Sequence, residues 1–266
     1  MKRRASGTAP LMFRSNFRDA RKPPLEPSRR RVVQRGLTLI EVSIVLVISG
    51  LILETVVKGQ ELIHNARVHD IMTQQTESEQ AFLAFQDRFR AVPGDYPSAS
   101  TNLNCGPTPC LDGNGNGRIE AGTGGAIHED ILAWQHLSAA GFLKGDYRML
   151  NAGVTTPSPD NTPNSVYGGY VQIVFDNAWG YSTNATPRHN IKSGNLVPAA
   201  LLAEVDRKVD DGRPGSGRFQ FSIYAGAGTA PPVGGTPNGC TDADSAAASW
   251  NAVSAADNCG AATLIY

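Results

Sequence analysis

Oxygen-bearing side chains recur at every second position in one short segment of the chain. Residues 112–120 read DGNGNGRIE, with a glycine at 117 that permits a sharp turn. Calcium is a hard cation that takes about six to eight oxygen ligands, and this spacing wraps several oxygens around one point. The sequence therefore predicts a calcium-type loop at 112–123. Its candidate ligands are Asp112, Asn114, Asn116, Arg118 and Glu120.

The calcium-type loop matches only the first half of an EF-hand loop. An EF-hand loop ends on a bidentate glutamate, whereas this chain has Thr123 at the corresponding position. Glu120, Glu129 or Asp130 would have to complete the coordination shell. The alternative interpretation is a glycine- and asparagine-rich turn that binds no metal.

Three more carboxylates lie close together in the sequence, where a predicted helix over 197–209 ends. Asp206, Asp210 and Asp211 form a candidate second cation site. We favour the alternative, a solvated helix end followed by a glycine-rich turn at 212–217.

The four cysteines are Cys105, Cys110, Cys240 and Cys259. Disulfides persist in oxidising compartments, so their presence indicates an exported domain. Four cysteines allow three pairings. We favour Cys105 with Cys110 and Cys240 with Cys259, because each of these pairings is local. Zinc is the alternative, but the chain has no C-x-x-C or H-x-x-x-H pair to support it.

An apolar run at 37–57, LTLIEVSIVLVISGLILETVV, precedes all of these features. At about 1.5 Å rise per residue, a helix of this length spans roughly 30 Å, the thickness of a bilayer's hydrocarbon core. Glu41 is the exception in the run. A carboxylate costs about 2.5 to 3.5 kcal/mol at the centre of a bilayer, so Glu41 is a candidate functional residue.

The formal net charge of the chain is zero, but positive and negative charges are segregated. Residues 1–36 carry 11 basic and 2 acidic side chains, a net charge of +9, which leaves a net charge of −9 beyond Gly36. Basic residues beside an apolar helix hold that flank in the cytoplasm, so the part beyond residue 57 is predicted to lie across the membrane. The acidic remainder argues against a nucleic-acid partner.

The residues around the start of the apolar run carry a family resemblance. Residues 35–45, RGLTLIEVSIV, resemble the class III signal of type IV pilins and type II secretion pseudopilins. The resemblance implies that a prepilin peptidase cuts after Gly36 and methylates the new N-terminus at Leu37. It also implies that Glu41 pairs with the N-terminal amine of a neighbouring subunit in a filament. The order of motifs at 93–96, 112–117 and 133–137 looks like that of a subgroup of pilin-like proteins.

The expected fold class is α+β and pilin-like. A long N-terminal helix would consist of a transmembrane part at 37–58 and a periplasmic half at 59–92, following a cleaved leader at 1–36. A globular domain at 93–266 would contain a small antiparallel sheet, short helices and a disulfide loop at 240–259.

Periodicity supports several of these elements. Apolar residues at three- and four-residue spacing from Phe82 to Val92 predict an amphipathic helix. A short helix is predicted at 128–140, with Trp134 in the core and with His128 and His136 on the surface. Strands are predicted at 167–176 and 219–225, where β-branched and aromatic residues alternate.

These observations predict a structural subunit, a minor pilin or pseudopilin, anchored in the bacterial inner membrane with its C-terminal domain in the periplasm. Its partners would be the prepilin peptidase and other pilin subunits. No G-x-S-x-G, H-E-x-x-H or phosphate-binding loop is present, so an enzyme is not expected. Two alternatives are a signal-anchored periplasmic calcium-binding module that is not cleaved, and a periplasmic enzyme built from the acidic clusters.

Overall fold

A computed structural model describes residues 36–122, 126–181, 185–226, 230–253 and 256–265 of the protein. Residues 1–35 of the predicted leader at 1–36 and the last loop position, Thr123, lie outside the described residues. The helices are α1 (Leu39–Phe89), α2 (Ala99–Asn102), α3 (Glu129–Ala139) and α4 (Ala199–Val209). The strands are β1 (Gln172–Asp176), β2 (Arg188–Lys192), β3 (Phe219–Phe221) and β4 (Ala261–Leu264).

The chain divides into two compact units, residues 1–51 and 52–266. The described part of the first unit is the beginning of α1 with the residues just before it. The second unit contains the remainder of α1 and all other helices and strands. Together they give one long apolar helix, short helices and a small antiparallel sheet, as the α+β expectation requires.

Helix α1 is 51 residues long, close to the predicted length, but it ends at Phe89 rather than at residue 92. The reason is local, because Arg90 has a φ of 53° and so leaves the helical conformation before Pro93 is reached. Gly94 then turns the chain with a φ of 87°. A Cβ on Gly94 would lie 2.4 Å from the carbonyl oxygen of Glu129, so this turn requires glycine.

Only the second half of α1 has a buried face. No residue of α1 before Val68 is buried, whereas from Val68 onward buried residues recur at three- and four-residue spacing. They are Val68, Ile71, Gln75, Ser78, Ala81, Phe82 and Phe85. The amphipathic pattern predicted around Phe82 and Phe85 is therefore confirmed.

The four strands form one antiparallel sheet in the order β1-β2-β4-β3. β1 and β3 lie within the two predicted strands but are shorter. β2, β4 and the four-residue helix α2 were not predicted from the sequence. β2 reads RHNIK and has little hydrophobic alternation, and β4 has only four residues, so tertiary pairing rather than local pattern determines both.

One face of the sheet packs against helices. Ile173 of β1 and Ile191 of β2 join Phe82 and Phe85 of α1 in one apolar cluster. Ala133, Trp134 and Leu137 of α3 complete that cluster, and the predicted core position of Trp134 is confirmed. A second cluster joins the earlier turns of α1 to α4, β3 and the C-terminal disulfide.

Both favoured disulfides are present. Cys105 pairs with Cys110 at a Cα–Cα distance of 5.2 Å, and Cys240 pairs with Cys259 at 5.6 Å. The second disulfide is buried in the same apolar cluster as α4. It closes a C-terminal loop that an isolated bridge between Thr241 and Trp250 also holds together.

Removal of the second disulfide by the double change Cys240→Ala and Cys259→Ala is expected to lower the free energy of unfolding by about 3 kcal/mol, because a longer loop is released in the unfolded chain. The matched control is Cys105→Ala with Cys110→Ala, whose shorter loop should cost about 1 kcal/mol less by the same loop-entropy argument. Urea unfolding of the full chain in detergent, followed by tryptophan fluorescence, measures both. An unchanged unfolding midpoint after removal of Cys240 and Cys259 would contradict the expectation.

Candidate functional site

The first turns of α1 present an apolar surface that the other described residues do not cover. Leu39, Ile40, Leu46 and Leu53 are each at least 67% exposed. The other leucine, isoleucine and valine side chains at 37–57 are also exposed. By length and composition α1 is the one candidate membrane span in the part of the chain that the structure describes. Exposed leucine, isoleucine and valine in this number require lipid or another apolar helix around them.

Glu41 lies in the first turn of this helix. Its backbone N–H donates to the hydroxyl of Thr38 at 3.3 Å, which caps the helix start. Its carboxylate has no hydrogen bond or ion pair with the described residues of its own chain. By contrast, Glu54 on the same helix forms an ion pair with Lys58 at 2.7 Å. Of the two carboxylates in the apolar run at 37–57, Glu41 is therefore the one without a partner among the described residues.

In the calcium-type loop, the predicted ligand oxygens already accept hydrogen bonds. The two carboxylate oxygens of Asp112 accept from the backbone N–H and the hydroxyl of Ser100, at 2.7 and 2.8 Å. The side-chain oxygens of Asn114 and Asn116 accept backbone N–H groups two residues further along the loop. The loop is thus closed by its own side chains as a series of turns.

A carboxylate that the sequence analysis did not select holds the loop from the other side. Asp95, which is 3% exposed, accepts backbone N–H groups from Gly115, Asn116 and Gly117 at 2.6 to 3.0 Å. Three consecutive amides converging on one carboxylate form an anion-binding nest. The available signal was the position of Asp95 directly after the Pro93-Gly94 turn, but its partners are about 20 residues away in sequence.

Glu129 joins the two ends of the loop. It is 1% exposed, and its two oxygens accept the N–H of Asn114 at 3.0 Å and the N–H of Glu120 at 3.1 Å. Burial is the main reason that its pKa is raised to about 7, and the nearby carboxylates of Asp95 and Glu120 raise it further. Glu129 therefore has a structural role, as a hydrogen-bond acceptor for the loop backbone.

The loop borders a groove of about 560 Å³ against the end of β1. Its carboxylates come from Asp112, Glu120, Glu129 and Asp176. Glu120 accepts a hydrogen bond from the Asn114 amide at 3.3 Å, so these two predicted ligands lie together. Arg118 stacks its guanidinium over the Phe175 ring at 5.2 Å from the ring centre.

The donor set suits calcium in chemical type. Within the described ranges, the one group of three or more acidic, His or Cys side chains with ligand atoms within 4.8 Å of one another is Asp206, Asp210 and Asp211. In the loop, the Asp112 carboxylate already accepts two hydrogen bonds from Ser100. Calcium binding at 112–123 remains a prediction.

The second acidic group is also occupied by hydrogen bonds. Asp206 is fully buried and accepts the indole N–H of Trp250 at 2.6 Å and the N–H of Gly212 at 3.2 Å. Asp210 accepts the backbone N–H groups of Arg218 and Phe219. Burial raises the pKa of Asp206 to about 6. These bonds join the end of α4 to the C-terminal loop and to β3, which is a structural role.

His136 is buried, not on the surface as expected. Its Nδ1 accepts the N–H of Gly94 at 2.9 Å, and its Nε2 lies 2.9 Å from the carbonyl oxygen of Leu111. A neutral ring that carries its proton on Nε2 satisfies both contacts. The surface expectation failed because residues outside α3, at the Gly94 turn and before the loop, cover this ring. His128 is partly buried beside Asp130 at 3.3 Å.

This geometry predicts an acid-sensitive contact. Burial lowers the pKa of His136 to about 4, from its ordinary value of 6.5. As the pH falls from 6.5 towards 4, the unfolded chain binds the proton first, so the His136 contribution to stability is full at pH 7 and decreases by roughly 3 kcal/mol.

A His136→Gln variant provides the matched comparison, because its amide can accept from Gly94 and donate to Leu111 without titrating. The difference in unfolding free energy between the natural protein and this variant, measured by urea unfolding at pH 7.5 and pH 4.5, should shift by roughly 3 kcal/mol in favour of the variant at the lower pH. His189, Glu129 and Asp206 titrate in both proteins, so their contributions cancel in this difference. An equal difference at the two pH values would contradict the assignment.

No protein-family model, curated protein or solved structure matches the chain. Any assignment of family or function to the chain therefore depends on the chain's own residues and their geometry.

Proposed function

We propose that this chain is a structural subunit of a type IV pilus or type II secretion filament, of the minor pilin or pseudopilin kind. In this proposal a prepilin peptidase removes the leader after Gly36, and the new N-terminus is Leu37. The subunit then assembles with other pilin subunits through α1.

The observation that carries the proposal is the position at which α1 begins. The helix starts at Leu39, separated from the Gly36-Leu37 pair only by Thr38, and Glu41 lies in its first turn. From there to residue 67 the helix has no buried side chain, and only then does it become amphipathic. A helix that is apolar and uncovered in its first half, and packed in its second, suits a subunit that exchanges lipid contacts for contacts with neighbouring helices.

The remaining features agree with a place in the cell envelope. The net charge of +9 up to Gly36 favours a cytoplasmic N-terminal flank, and one candidate span follows within the residues that the structure describes. Two disulfides lie beyond that span, as expected for the periplasm. In this proposal the protein is a single-pass inner-membrane protein before assembly, with its sheet domain in the periplasm. Calcium would be a ligand of the loop and not a reactant.

The test is the intact mass of the protein and of its N-terminal peptide after expression with and without the peptidase. We expect the chain to begin at Leu37 with one added methyl group only when the peptidase is present. Gly36→Ala should block the cut, whereas Gly50→Ala should not. An added Cβ meets nothing within 4 Å at either glycine, so the two changes are sterically matched.

A chain that keeps its basic leader in the presence of an active peptidase would contradict the proposal. The protein would then be better described as an anchored periplasmic module that neither matures nor polymerises. Calorimetric titration with calcium would show whether such a module binds the ion.

A further inference from the structure

Two asparagine–glycine steps lie in the calcium-type loop. Asn114 precedes Gly115, and Asn116 precedes Gly117. At such a step the backbone nitrogen of the glycine can attack the side-chain carbonyl carbon of the asparagine, because the glycine has no Cβ to shield that nitrogen. Both asparagines are exposed, so water reaches them. The loop therefore contains two chemically labile positions.

The fold requires glycine at both of these steps. Gly115 has a φ of 76° and Gly117 has a φ of 81°, in the left-handed region that residues with a Cβ rarely adopt. A bulkier residue after the asparagine would slow the attack, but it would strain the backbone. The two labile steps are therefore a consequence of the turns that the loop makes.

The reaction at each step is a deamidation, and its only co-reactant is water. The glycine nitrogen loses its proton and bonds to the asparagine Cγ, the bond from Cγ to the side-chain nitrogen breaks, and ammonia leaves. Water then opens the resulting five-membered succinimide ring to aspartate or isoaspartate. Each event replaces a neutral amide by a carboxylate, and the isoaspartate product also diverts the main chain through the side chain.

Asp95 binds the attacking nitrogen of both steps. The N–H of Gly115 donates to the Asp95 Oδ1 at 2.6 Å, and the N–H of Gly117 donates to the Oδ2 at 2.7 Å. Hydrogen bonds to a charged acceptor are stronger than those to a neutral one, and each nitrogen must leave this bond before it can attack. The carboxylate charge beside each N–H also disfavours loss of the proton.

We propose that Asn114 and Asn116 are latent deamidation sites, and that Asp95 protects both by binding the amide nitrogens of Gly115 and Gly117. One carboxylate, about 20 residues away in sequence, restrains both steps. The protection needs only the folded loop, so it operates whether or not the chain enters a filament.

Peptide mass spectrometry of the full chain, incubated folded in detergent with a chelator near neutral pH, tests this protection. Replacement of the amide NH₂ by OH raises the peptide mass, and fragmentation identifies the position. We expect Asp95→Ala to raise the deamidation rate at Asn114 and Asn116 by at least about tenfold, because both glycine amides lose a charged acceptor. Asn238 should keep its rate, because the N–H of its following glycine donates to a local backbone carbonyl at 2.9 Å.

Glu129→Ala is the matched control for a general loosening of the loop. Glu129 also binds two loop N–H groups, those of Asn114 and Glu120, but neither belongs to the glycine of a labile step. Its removal should raise the two deamidation rates far less than Asp95→Ala does. Equal acceleration by the two variants, or no acceleration by Asp95→Ala, would overturn the proposal.

A second measurement uses the natural protein alone and therefore stands even if Asp95→Ala fails to fold. Deamidation at Asn114 and Asn116 is compared between the folded chain and the chain unfolded in guanidinium, and hydrogen exchange follows the amides of Gly115 and Gly117. We expect the folded chain to deamidate at least about tenfold more slowly and both glycine amides to be protected. Equal deamidation rates, or freely exchanging glycine amides in the folded chain, would show that Asp95 does not protect these steps.

Discussion

Glu41→Gln is expected to leave the chain processed and inserted in the membrane but to remove it from filaments. The change keeps the length and the hydrogen-bonding capacity of the side chain and removes only the charge. In the natural chain this carboxylate has no partner among the described residues of its own chain, although it follows the start of an apolar, uncovered helix. Its pairing with a neighbour's N-terminal amine would offset the cost of burying both charges.

The expected effect on assembly is large. Loss of one member of a buried ion pair costs about 3 to 5 kcal/mol, because the other charge is left uncompensated. Each 1.4 kcal/mol is about a tenfold change in an equilibrium constant, so incorporation should fall by at least about 100-fold. Quantitative immunoblotting of sheared filaments against the membrane fraction measures this ratio.

Glu54→Gln is the matched control on the same helix. Glu54 is exposed and already pairs with Lys58 one turn away, so its removal should change incorporation little. In the proposed pairing the partner of Glu41 is an amine that cleavage creates, so Glu41→Gln combined with Gly36→Ala should be no worse than Gly36→Ala alone. Filaments containing Glu41→Gln at the natural level would show that the carboxylate has no role in docking.

Local pattern was sufficient for α1, α3 and α4, whereas α2, a single turn of four residues, was not predicted. Continuous apolar residues predicted the first half of α1, and three- and four-residue spacing around Phe82 predicted its second half. α3 and α4 followed from the same periodicity. The short-range disulfides were also predictable, because each pairs cysteines that are close in sequence.

Long-range pairing was not predictable in the same way. β4 lies between β2 and β3 at the centre of the sheet, yet its four residues carry no strand pattern of their own. His136 was expected on the surface because only its own helix was considered. The ring is covered by Gly94 and Leu111, which are 42 and 25 residues away in sequence.

The candidate loop illustrates the same limit at a functional position. Spacing selected Asp112, Asn114 and Asn116, whose oxygens accept local bonds. It did not select Asp95, which holds three loop amides from about 20 residues away in sequence and is more deeply buried than Asp112. The role of Asp95 depends on contacts across about 20 residues, and no local sequence pattern contains such contacts.

Asp95→Asn is accordingly expected to destabilise the domain by about 3 kcal/mol. The carboxylate accepts three backbone N–H groups, and hydrogen bonds to a charged acceptor each contribute about 1.5 to 3 kcal/mol. Asparagine has one oxygen in place of two, and its amide N–H₂ would face a backbone donor. The substitution would therefore weaken or remove at least one of the three hydrogen bonds to the loop backbone.

Asp112→Asn is the matched control, because Asp112 is exposed and bonds only Ser100 among the described residues. Its expected cost is about 1 kcal/mol. Both variants and the natural protein should be unfolded in urea as full chains in detergent, with tryptophan fluorescence as the signal. Trp134 is fully buried in the apolar cluster beside the loop, so its fluorescence reports the unfolding of that cluster.

Repeating the urea series in calcium and in a chelator separates the two ways in which the loop could be held. If Asp95 organises the loop, the ranking of the variants is the same in both conditions and the chelator leaves the natural protein's midpoint unchanged. If calcium organises it, the chelator lowers that midpoint, and in calcium Asp112→Asn costs as much as Asp95→Asn. The second result would identify the loop as a metal site and not as a turn closed by Asp95. A ligand that binds only the folded protein raises its stability, and a chelator removes that gain.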